Sequence, residues 1–255
     1  MASISNSQTG DALLRARLED AVHLSEAHSC PRFVGFLDER QRVLAQNVLK
    51  RLPVSGVLFY GGYTEAERTL CGIFPDFIEP GAAFFPLTAL AFRYRQEAAL
   101  NHRDFLGAML SCGVKREKLG DILCSDGLTV AFVDEDIAPY LCEQLSKVRG
   151  EGVEVSAGYQ GELPSGRRYA PLQDTVASPR LDAVVKALAG ISREEAARLV
   201  EAGFVAVNHL PVLAISSAVR EGDCLSIRGK GRYLIDELSS LTKKGRTVLK
   251  ARKCV

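Results

Sequence analysis

The chain has 255 residues, 47% of them hydrophobic and 25% charged, with a net charge of +1 at pH 7, so it can bury a full core and should divide into two or three domains. Seven cysteines without a Cys-x-x-Cys pair or a nearby histidine cluster argue against a zinc site and a disulfide framework, and favour a reducing cytosol. No apolar run reaches the roughly 18 residues of a membrane helix, and the polar start Met1–Asp11 does not resemble a signal peptide. We therefore expect a cytoplasmic monomer without membrane association, cofactor or metal.

The first segment, residues 1–78, is predicted to be an N-terminal α/β subdomain. Apolar residues between Leu13 and Leu24 predict a first helix, and Glu39–Leu52 a second. Strands are predicted at Gly56–Tyr60 and near Leu70–Phe74. Between them, Gly61-Gly62-Tyr63 could form an anion-binding nest, but its glycine spacing matches neither the phosphate loop nor the dinucleotide fingerprint. A tight strand-to-helix turn is the favoured interpretation.

Pro75, Pro80, Gly81 and Pro86 mark the boundary to the second segment, residues 79–160, and the predicted order β-α-β-β-α-β follows these residues. The expected elements are a strand at Leu87–Tyr94, a helix at Asp104–Cys112, a hairpin of Asp121–Cys124 and Leu128–Val133, a helix at Ile137–Val148 and a strand at Val153–Ser156. This order is that of the ferredoxin-like plan, which RNA-recognition folds also use. The aromatic signature of such RNA-recognition folds is missing, so base stacking on this sheet is not predicted.

Three cations in this segment follow Gly113, a predicted helix C-cap. Lys115, Arg116 and Lys118 lie on the turn before a strand, where they are candidates for a secondary RNA contact. An equally weighted alternative is that they complement the negative end of the preceding helix.

The last part of the chain is predicted to hold a linker at 161–176, a small α+β module at 177–240 and a basic tail at 241–255. Ser178 followed by Pro179 predicts the N-terminus of a helix, and Ser192 with Glu195 predicts a capping box for a second helix that ends at Gly203. Strands are expected around Val205–Val207 and Leu225–Ile227. The whole chain is therefore assigned to the α+β class.

Charge is divided unevenly along the chain. Residues 175–255 hold 14 Lys and Arg against 8 Asp and Glu, a net of +6, while the remainder holds 18 against 23, a net of −5. A basic module of this kind suits a polyanion, although scattered cations can also simply solvate a surface. The candidate RNA-binding residues are Arg180, Lys186, Ser192, Arg193, Arg198, Asn208, Arg228, Gly229, Lys230 and Arg232. Gly229 is expected to let the backbone approach a phosphate.

This module resembles the alpha-L RNA-binding domain that a small-subunit ribosomal protein shares with pseudouridine synthases and tyrosyl-tRNA synthetases. The resemblance lies in Arg180-Leu181-Asp182, Ser192-Arg193, Gly203, Val207-Asn208, Gly222-Asp223 and Arg228-Gly229. It implies two helices and a turn that meet structured RNA by shape and phosphate contact. It also implies that Asp182 supports Arg180 or a backbone group, and that Asn208 shapes a turn.

The front half carries motifs that sharpen the resemblance to one family. Together with the module, the following motifs resemble the YlmH family: Phe59-Tyr60-Gly61-Gly62-Tyr63, Ala66-Glu67-Arg68, His102-Arg103-Asp104-Phe105-Leu106-Gly107 and the run from Gly113 to Ile122. YlmH proteins are bacterial and encoded among cell-division genes. The resemblance implies a role in ribosome-associated quality control, with ribosomal RNA, tRNA and the large subunit carrying peptidyl-tRNA as partners.

Catalytic residues are not expected. His102-Arg103-Asp104 is similar to a kinase catalytic loop, but Met109 occupies the place of the required Asn, and Asp104 fits better as a helix N-cap. The alternatives left open are an RNA-modifying enzyme, such as a pseudouridine synthase or an rRNA methyltransferase, and a scaffold linked to cell division.

Overall fold

A computed structural model describes residues 2–164, 169–238 and 245–254 of the chain, with side chains from Thr9 onward. Helices and strands are mixed, and the chain forms two compact units, residues 1–166 and 167–255. The predicted segments 1–78 and 79–160 thus lie in the same unit. Residues 165–168 of the expected linker, 239–240 of the expected module, and 241–244 and 255 of the expected tail are outside the described residues.

The N-terminal part of the front unit packs two helices on one face of a three-stranded antiparallel sheet. Its elements are α1 (Ala2–His28), β1 (Arg32–Leu37), α2 (Glu39–Leu49), β2 (Gly56–Tyr60) and β3 (Thr69–Phe74), and the strand order is β1-β3-β2. Strand β1 was not predicted, because its pairing partner β3 is more than 30 residues away. The expected strand-to-helix turn at Gly61–Tyr63 is also wrong, since this loop joins two strands.

The following part contains a four-stranded antiparallel sheet with the order β5-β6-β4-β9. Its elements are β4 (Leu87–Arg93), α3 (His102–Ser111), β5 (Leu119–Ser125), β6 (Leu128–Asp134), α4 (Ala138–Gln144), the short hairpin β7 (Lys147–Val148) and β8 (Glu151–Gly152), and β9 (Glu154–Ala157). The predicted helix at 137–148 is shorter than expected, because the chain leaves it after Gln144 to form the short hairpin.

The start of α3 differs from the prediction that Asp104 is its N-cap. Asn101 is the N-cap, and its side chain accepts a hydrogen bond from the Arg103 amide at 2.9 Å. Asp104 lies at the third helical position and accepts from the Asn101 amide at 3.0 Å, which completes a capping box.

The two sheets of the front unit pack face to face over a shared apolar cluster. Phe36 and Phe74 from the first sheet meet Ala89, Val130 and Phe132 from the second. On its opposite face the second sheet packs against α3 and α4 through residues such as Leu90, Phe92, Ala131 and Val133. Alternate residues of β4 and β6 therefore serve two different cores.

The second unit packs two helices on one face of a six-stranded sheet, with the order β10-β15-β14-β13-β11-β12. Its elements are β10 (Tyr169–Val176), α5 (Leu181–Ala189), α6 (Arg193–Glu201), β11 (Val205–Val207), β12 (Leu210–Pro211), β13 (Cys224–Ile227), β14 (Gly231–Glu237) and β15 (Thr247–Cys254).

Two predictions for this unit are wrong. The second half of the expected linker is strand β10, and most of the expected basic tail is strand β15, which pairs with β10 along its whole length. β15 lies between β10 and β14, with Leu249 and Ala251 buried in the core.

Candidate nucleic-acid interface

Helix α5 starts two residues later than the sequence predicted, so Ser178 is not its N-cap. Arg180 occupies that position without a side-chain cap. The amide of Leu181 instead donates to the Ser217 carbonyl at 2.8 Å, and the amide of Asp182 donates to the Ile215 carbonyl at 3.2 Å. A loop distant in sequence therefore satisfies the first helical amides and leaves the Asp182 carboxylate for another role.

That role is to hold two arginines. Asp182 is 3% exposed, and its two oxygens accept from Arg180 Nε at 3.1 Å and Arg193 Nε at 3.0 Å. Burial alone would raise the pKa of Asp182, but hydrogen bonds from both guanidinium groups outweigh it and hold the pKa below its ordinary value. The arginine side chains remain 40% and 59% exposed. Because only Nε of each is used by the carboxylate, the terminal nitrogens of both can face a ligand.

The other helical candidates belong to the same two helices, α5 and α6. Ser192 caps α6 by accepting from the Glu195 amide at 3.1 Å, which confirms the predicted N-cap, but the return bond from the Glu195 side chain that would complete a capping box is not seen in the described residues. Lys186 is exposed in the last turn of α5. Arg198 is exposed but forms an ion pair with Glu194 one turn earlier, so part of its charge is already compensated.

The strand loops hold the remaining candidates. Asn208 is exposed and has φ of +48°, and its side chain donates to Asp223 at 2.8 Å and accepts from the Cys224 amide at 2.9 Å. It shapes the turn, as the resemblance implied. Arg228 stacks over the exposed ring of Phe204, with its Cζ 4.7 Å from the ring centre. Such a stacked guanidinium is held in place while its donors stay accessible.

The loop between β13 and β14 requires glycine at position 229 because of its backbone conformation. Gly229 has φ of +75°, and a Cβ atom there would meet nothing within 4 Å. The left-handed conformation, and not crowding, therefore selects glycine. Lys230 is partly buried, and its carbonyl accepts from the Tyr233 hydroxyl at 3.1 Å, while Arg232 is partly buried on β14.

The basic residues of β15 belong to a sheet, although the sequence predicted a tail for this segment. Arg252 forms an ion pair with Asp236 at 3.0 Å and stacks over Tyr169. The signal was present, because Thr247, Leu249 and Ala251 alternate with Lys250 and Arg252 at the period of a strand.

The three secondary RNA-binding candidates of the front unit, Lys115, Arg116 and Lys118, differ in exposure and in their partners within the fold. Arg116 donates to the carbonyl of Leu119 at 2.6 Å, and burial, followed by the nearby Arg68, lowers the pKa of Arg116 to about 10. Lys118 forms an ion pair with Asp134. Only Lys115 of the three is exposed. Arg116 and Lys118 are thus engaged within the fold, and neither of the two predicted roles describes Arg116, which binds strand carbonyls.

The family motif around Gly61-Gly62-Tyr63 fastens the two sheets of the front unit together. The Asp121 carboxylate accepts from the Tyr63 hydroxyl at 2.8 Å and from the Glu67 and Arg68 amides at 2.7 and 3.1 Å. Burial raises the pKa of Asp121 against the opposing effect of these hydrogen bonds. The backbone amides of this loop bind a carboxylate of the protein itself, so the structure gives the motif a structural role.

Close packing at the same place covers the second sheet. The Tyr63 ring stacks on Phe132, with ring centres 5.2 Å apart. A Cβ atom on Gly62 would lie 2.2 Å from the Phe132 ring, which explains this glycine together with its φ of +103°. The face of β5-β6-β4-β9 opposite its helices is therefore packed inside the front unit. RNA bases cannot stack on this face in the manner of an RNA-recognition fold.

Among the described residues, no group of three His, Cys, Asp or Glu side chains is placed to hold a metal ion. Within the same part of the chain, no helix combines the length and apolar character that a membrane crossing requires.

Comparison with known proteins agrees with the division of the chain. Residues 80–159 match the family described as "Putative RNA-binding domain in YlmH", and residues 179–224 match the S4 domain. The chain is 36% identical over 215 residues to "Ribosome-associated protein quality control protein P2" of Bacillus subtilis (strain 168). The match covers 84% of this chain and 83% of that protein. The chain belongs to the YlmH family.

A solved YlmH structure shows the same kind of fold. "Cell division protein ylmH from Streptococcus pneumoniae" superposes with a TM-score of 0.51 and 18% identity, covering 59% of this chain and 92% of that one. The two matched domains support an RNA-binding role for this chain.

Proposed function

We propose that the alpha-L module of this YlmH protein binds structured ribosomal RNA and tRNA, on large ribosomal subunits that carry peptidyl-tRNA. The observation that carries the proposal is the buried Asp182 carboxylate, which aligns Arg180 and Arg193 side by side. Forked guanidinium groups held in this way suit two neighbouring phosphates. Lys186, Arg198, Arg228, Lys230 and Arg232 add positive charge to the same unit, and Lys115 of the front unit is a secondary candidate.

Such a role requires affinity and shape, and we infer a binding factor and not an enzyme. The acidic residue of the kinase-like motif has a structural partner, because the Asp104 carboxylate accepts from the Asn101 amide in the capping box of α3. The β-α-β-β-α-β order of the front unit fits the ferredoxin-like plan. We further propose that the protein acts in the cytoplasm as a monomer, and that any effect on cell division follows from its work on ribosomes.

Sedimentation with purified large subunits carrying peptidyl-tRNA tests the proposal. Arg180→Ala and Arg193→Ala should each weaken association by about 1.5–3 kcal/mol, the usual contribution of a hydrogen bond to a charged group. Arg252→Ala is the matched control, because Arg252 is an exposed arginine of the same unit that alternates with the buried Leu249 and Ala251 and so lies on the sheet face opposite α5 and α6. Wild-type association of the double Arg180→Ala, Arg193→Ala variant, with normal thermal melting, would show that the proposed face is wrong.

A further inference from the structure

An open cavity of about 220 Å³ lies in the N-terminal part of the front unit, and none of the residues assigned to RNA lines it. It is bordered by the second half of α1, the turn before β2 and the end of β3. Val22, Val54, Ile73 and Phe74 give it apolar walls. Sites for nucleotides and cofactors usually enclose about 300–1,000 Å³, so this cavity suits a single apolar side chain better than a small-molecule ligand.

The apolar surface continues beyond the cavity. Phe77, at its rim, is 69% exposed, and Phe84 is 49% exposed. The Phe84 ring packs edge to face on Phe74, with centres 5.7 Å apart, so it adjoins a residue that lines the cavity. Large exposed aromatic side chains next to a cavity mark interaction surfaces in soluble proteins. The cavity with Phe77 and Phe84 is called the Phe77 patch below.

The charge around this patch indicates what kind of partner it accepts. The residues that line the cavity include the carboxylates of Glu26 and Asp76, and none of them is Lys or Arg. The front unit as a whole, residues 1–166, holds 16 Lys and Arg against 22 Asp and Glu, a net of −6. This potential repels phosphates and attracts cationic groups. The patch is therefore unsuited to RNA, even though exposed aromatic rings could stack on bases.

We propose that the Phe77 patch is a docking site for a basic polypeptide segment of a partner protein. One aliphatic or aromatic side chain of that segment enters the cavity and contacts Phe77, while flanking Lys or Arg side chains face Glu26 and Asp76. This docking site does not depend on the RNA face of the second unit, and each can fail without the other.

Fluorescence anisotropy with the full-length protein tests the docking site directly. The probe is a labelled nine-residue peptide with one central leucine and four lysines on each side. Replacing the leucine by alanine should weaken binding roughly tenfold, because most of the buried apolar surface is lost. On the protein, Phe77→Ser and Glu26→Lys should each weaken binding of the leucine peptide roughly tenfold or more.

Controls keep the outcomes separate. Leu213→Ser removes an equally exposed apolar side chain, 62% exposed, from the other unit and should leave peptide binding unchanged. Thermal melting confirms that the variants fold, which the exposure of Phe77 and Glu26 favours. Equal binding of the leucine and alanine peptides, or unchanged binding by Phe77→Ser, would overturn the proposal. It would also be overturned if Phe77→Ser weakened binding of a labelled uridine 12-mer and spared the peptide.

Discussion

Asp182 connects the stability of the second unit to its proposed contact with RNA. A buried carboxylate is costly to ionise unless cations and hydrogen bonds compensate it, and here Arg180 and Arg193 do so. The same two contacts restrict both arginine side chains to one arrangement. One acidic residue in a basic module therefore organises the charge that would meet a phosphate.

The pH dependence of stability should reveal this arrangement. Asp182→Asn should lower the free energy of unfolding at pH 7 by about 2 kcal/mol, since hydrogen bonds to charged groups contribute about 1.5–3 kcal/mol. The pKa of Asp182 is depressed in the folded state, so its contribution is present above the unfolded value of about 3.9 and is lost as the pH falls through the lower folded value. The difference between wild type and variant in urea unfolding should therefore shrink below about pH 4. A difference that stays constant down to pH 3 would contradict this account.

Gly62 should be among the least replaceable residues of the front unit. Gly62→Ala places a Cβ atom 2.2 Å from the Phe132 ring at a φ of +103°, and overpacking together with backbone strain should cost about 2–4 kcal/mol. Gly113→Ala is the matched control, because its φ is +82° and a Cβ atom there meets nothing within 4 Å. Thermal melting should show a much smaller loss for Gly113→Ala. Equal losses would mean that the contact with Phe132 is unimportant.

At the scale of elements, β10 and β15 extend the sheet of the alpha-L module beyond the residues that match the S4 domain. β15 lies between β10 and β14 and pairs with both. Its inward residues Leu249 and Ala251 join the same core as α5 and α6, while Lys250 and Arg252 face outward. The end of the chain is therefore a structural part of the unit, and a fragment that begins at Thr175 would lack most of β10.

Strand β15 should be essential for the stability of the second unit. Leu249 is fully buried, and Leu249→Ala should lower the free energy of unfolding by about 2–5 kcal/mol through lost burial and a new cavity. Lys250→Ala, at the neighbouring outward position, should change it by less than about 1 kcal/mol. Chemical denaturation measures the free energy of unfolding of both variants. A Leu249→Ala protein as stable as the wild type would mean that residues 247–254 are a dispensable tail.

At the scale of the whole molecule, the two units carry net charges of opposite sign. Residues 167–255 hold 16 Lys and Arg against 9 Asp and Glu, opposite in sign to the front unit. The sheet face on which an RNA-recognition fold would stack bases is filled by Phe36, Phe74 and Phe132. Charge and packing together support the proposal that the main RNA contact belongs to the second unit, with Lys115 of the front unit as a secondary candidate.

Binding to ribosomal RNA should accordingly depend steeply on salt and reside in the second unit. Roughly five phosphate contacts with irregular RNA give a slope of about −3.5 in a plot of log affinity against log salt. A fragment of residues 169–255 should keep this slope, and a fragment of residues 1–166 should bind RNA much more weakly. Filter binding between 50 and 300 mM salt measures both, and a slope near zero for the full chain would mean that the cations only solvate the surface.

Local sequence patterns predicted part of the fold. The capping serine at Ser192, the left-handed turn at Gly203, the β5–β6 hairpin and the order β4-α3-β5-β6-α4-β9 were predictable because their signals lie within a few residues, whereas the short β7–β8 hairpin was not predicted. The family motifs likewise identified the chain without knowledge of its structure.

Tertiary structure decided what depends on residues distant in sequence. Asp121 accepts from Tyr63, 58 residues earlier, and β10 pairs with β15 across more than 70 residues. Asp182 could be assigned to a supporting role from sequence, but its simultaneous contact with Arg180 and Arg193 requires the packing of α5 against α6. The covered sheet face and the Phe77 patch arise from the meeting of separate elements. Helix and turn signals act over three or four residues, whereas sheet pairing and burial depend on how the whole chain folds back on itself.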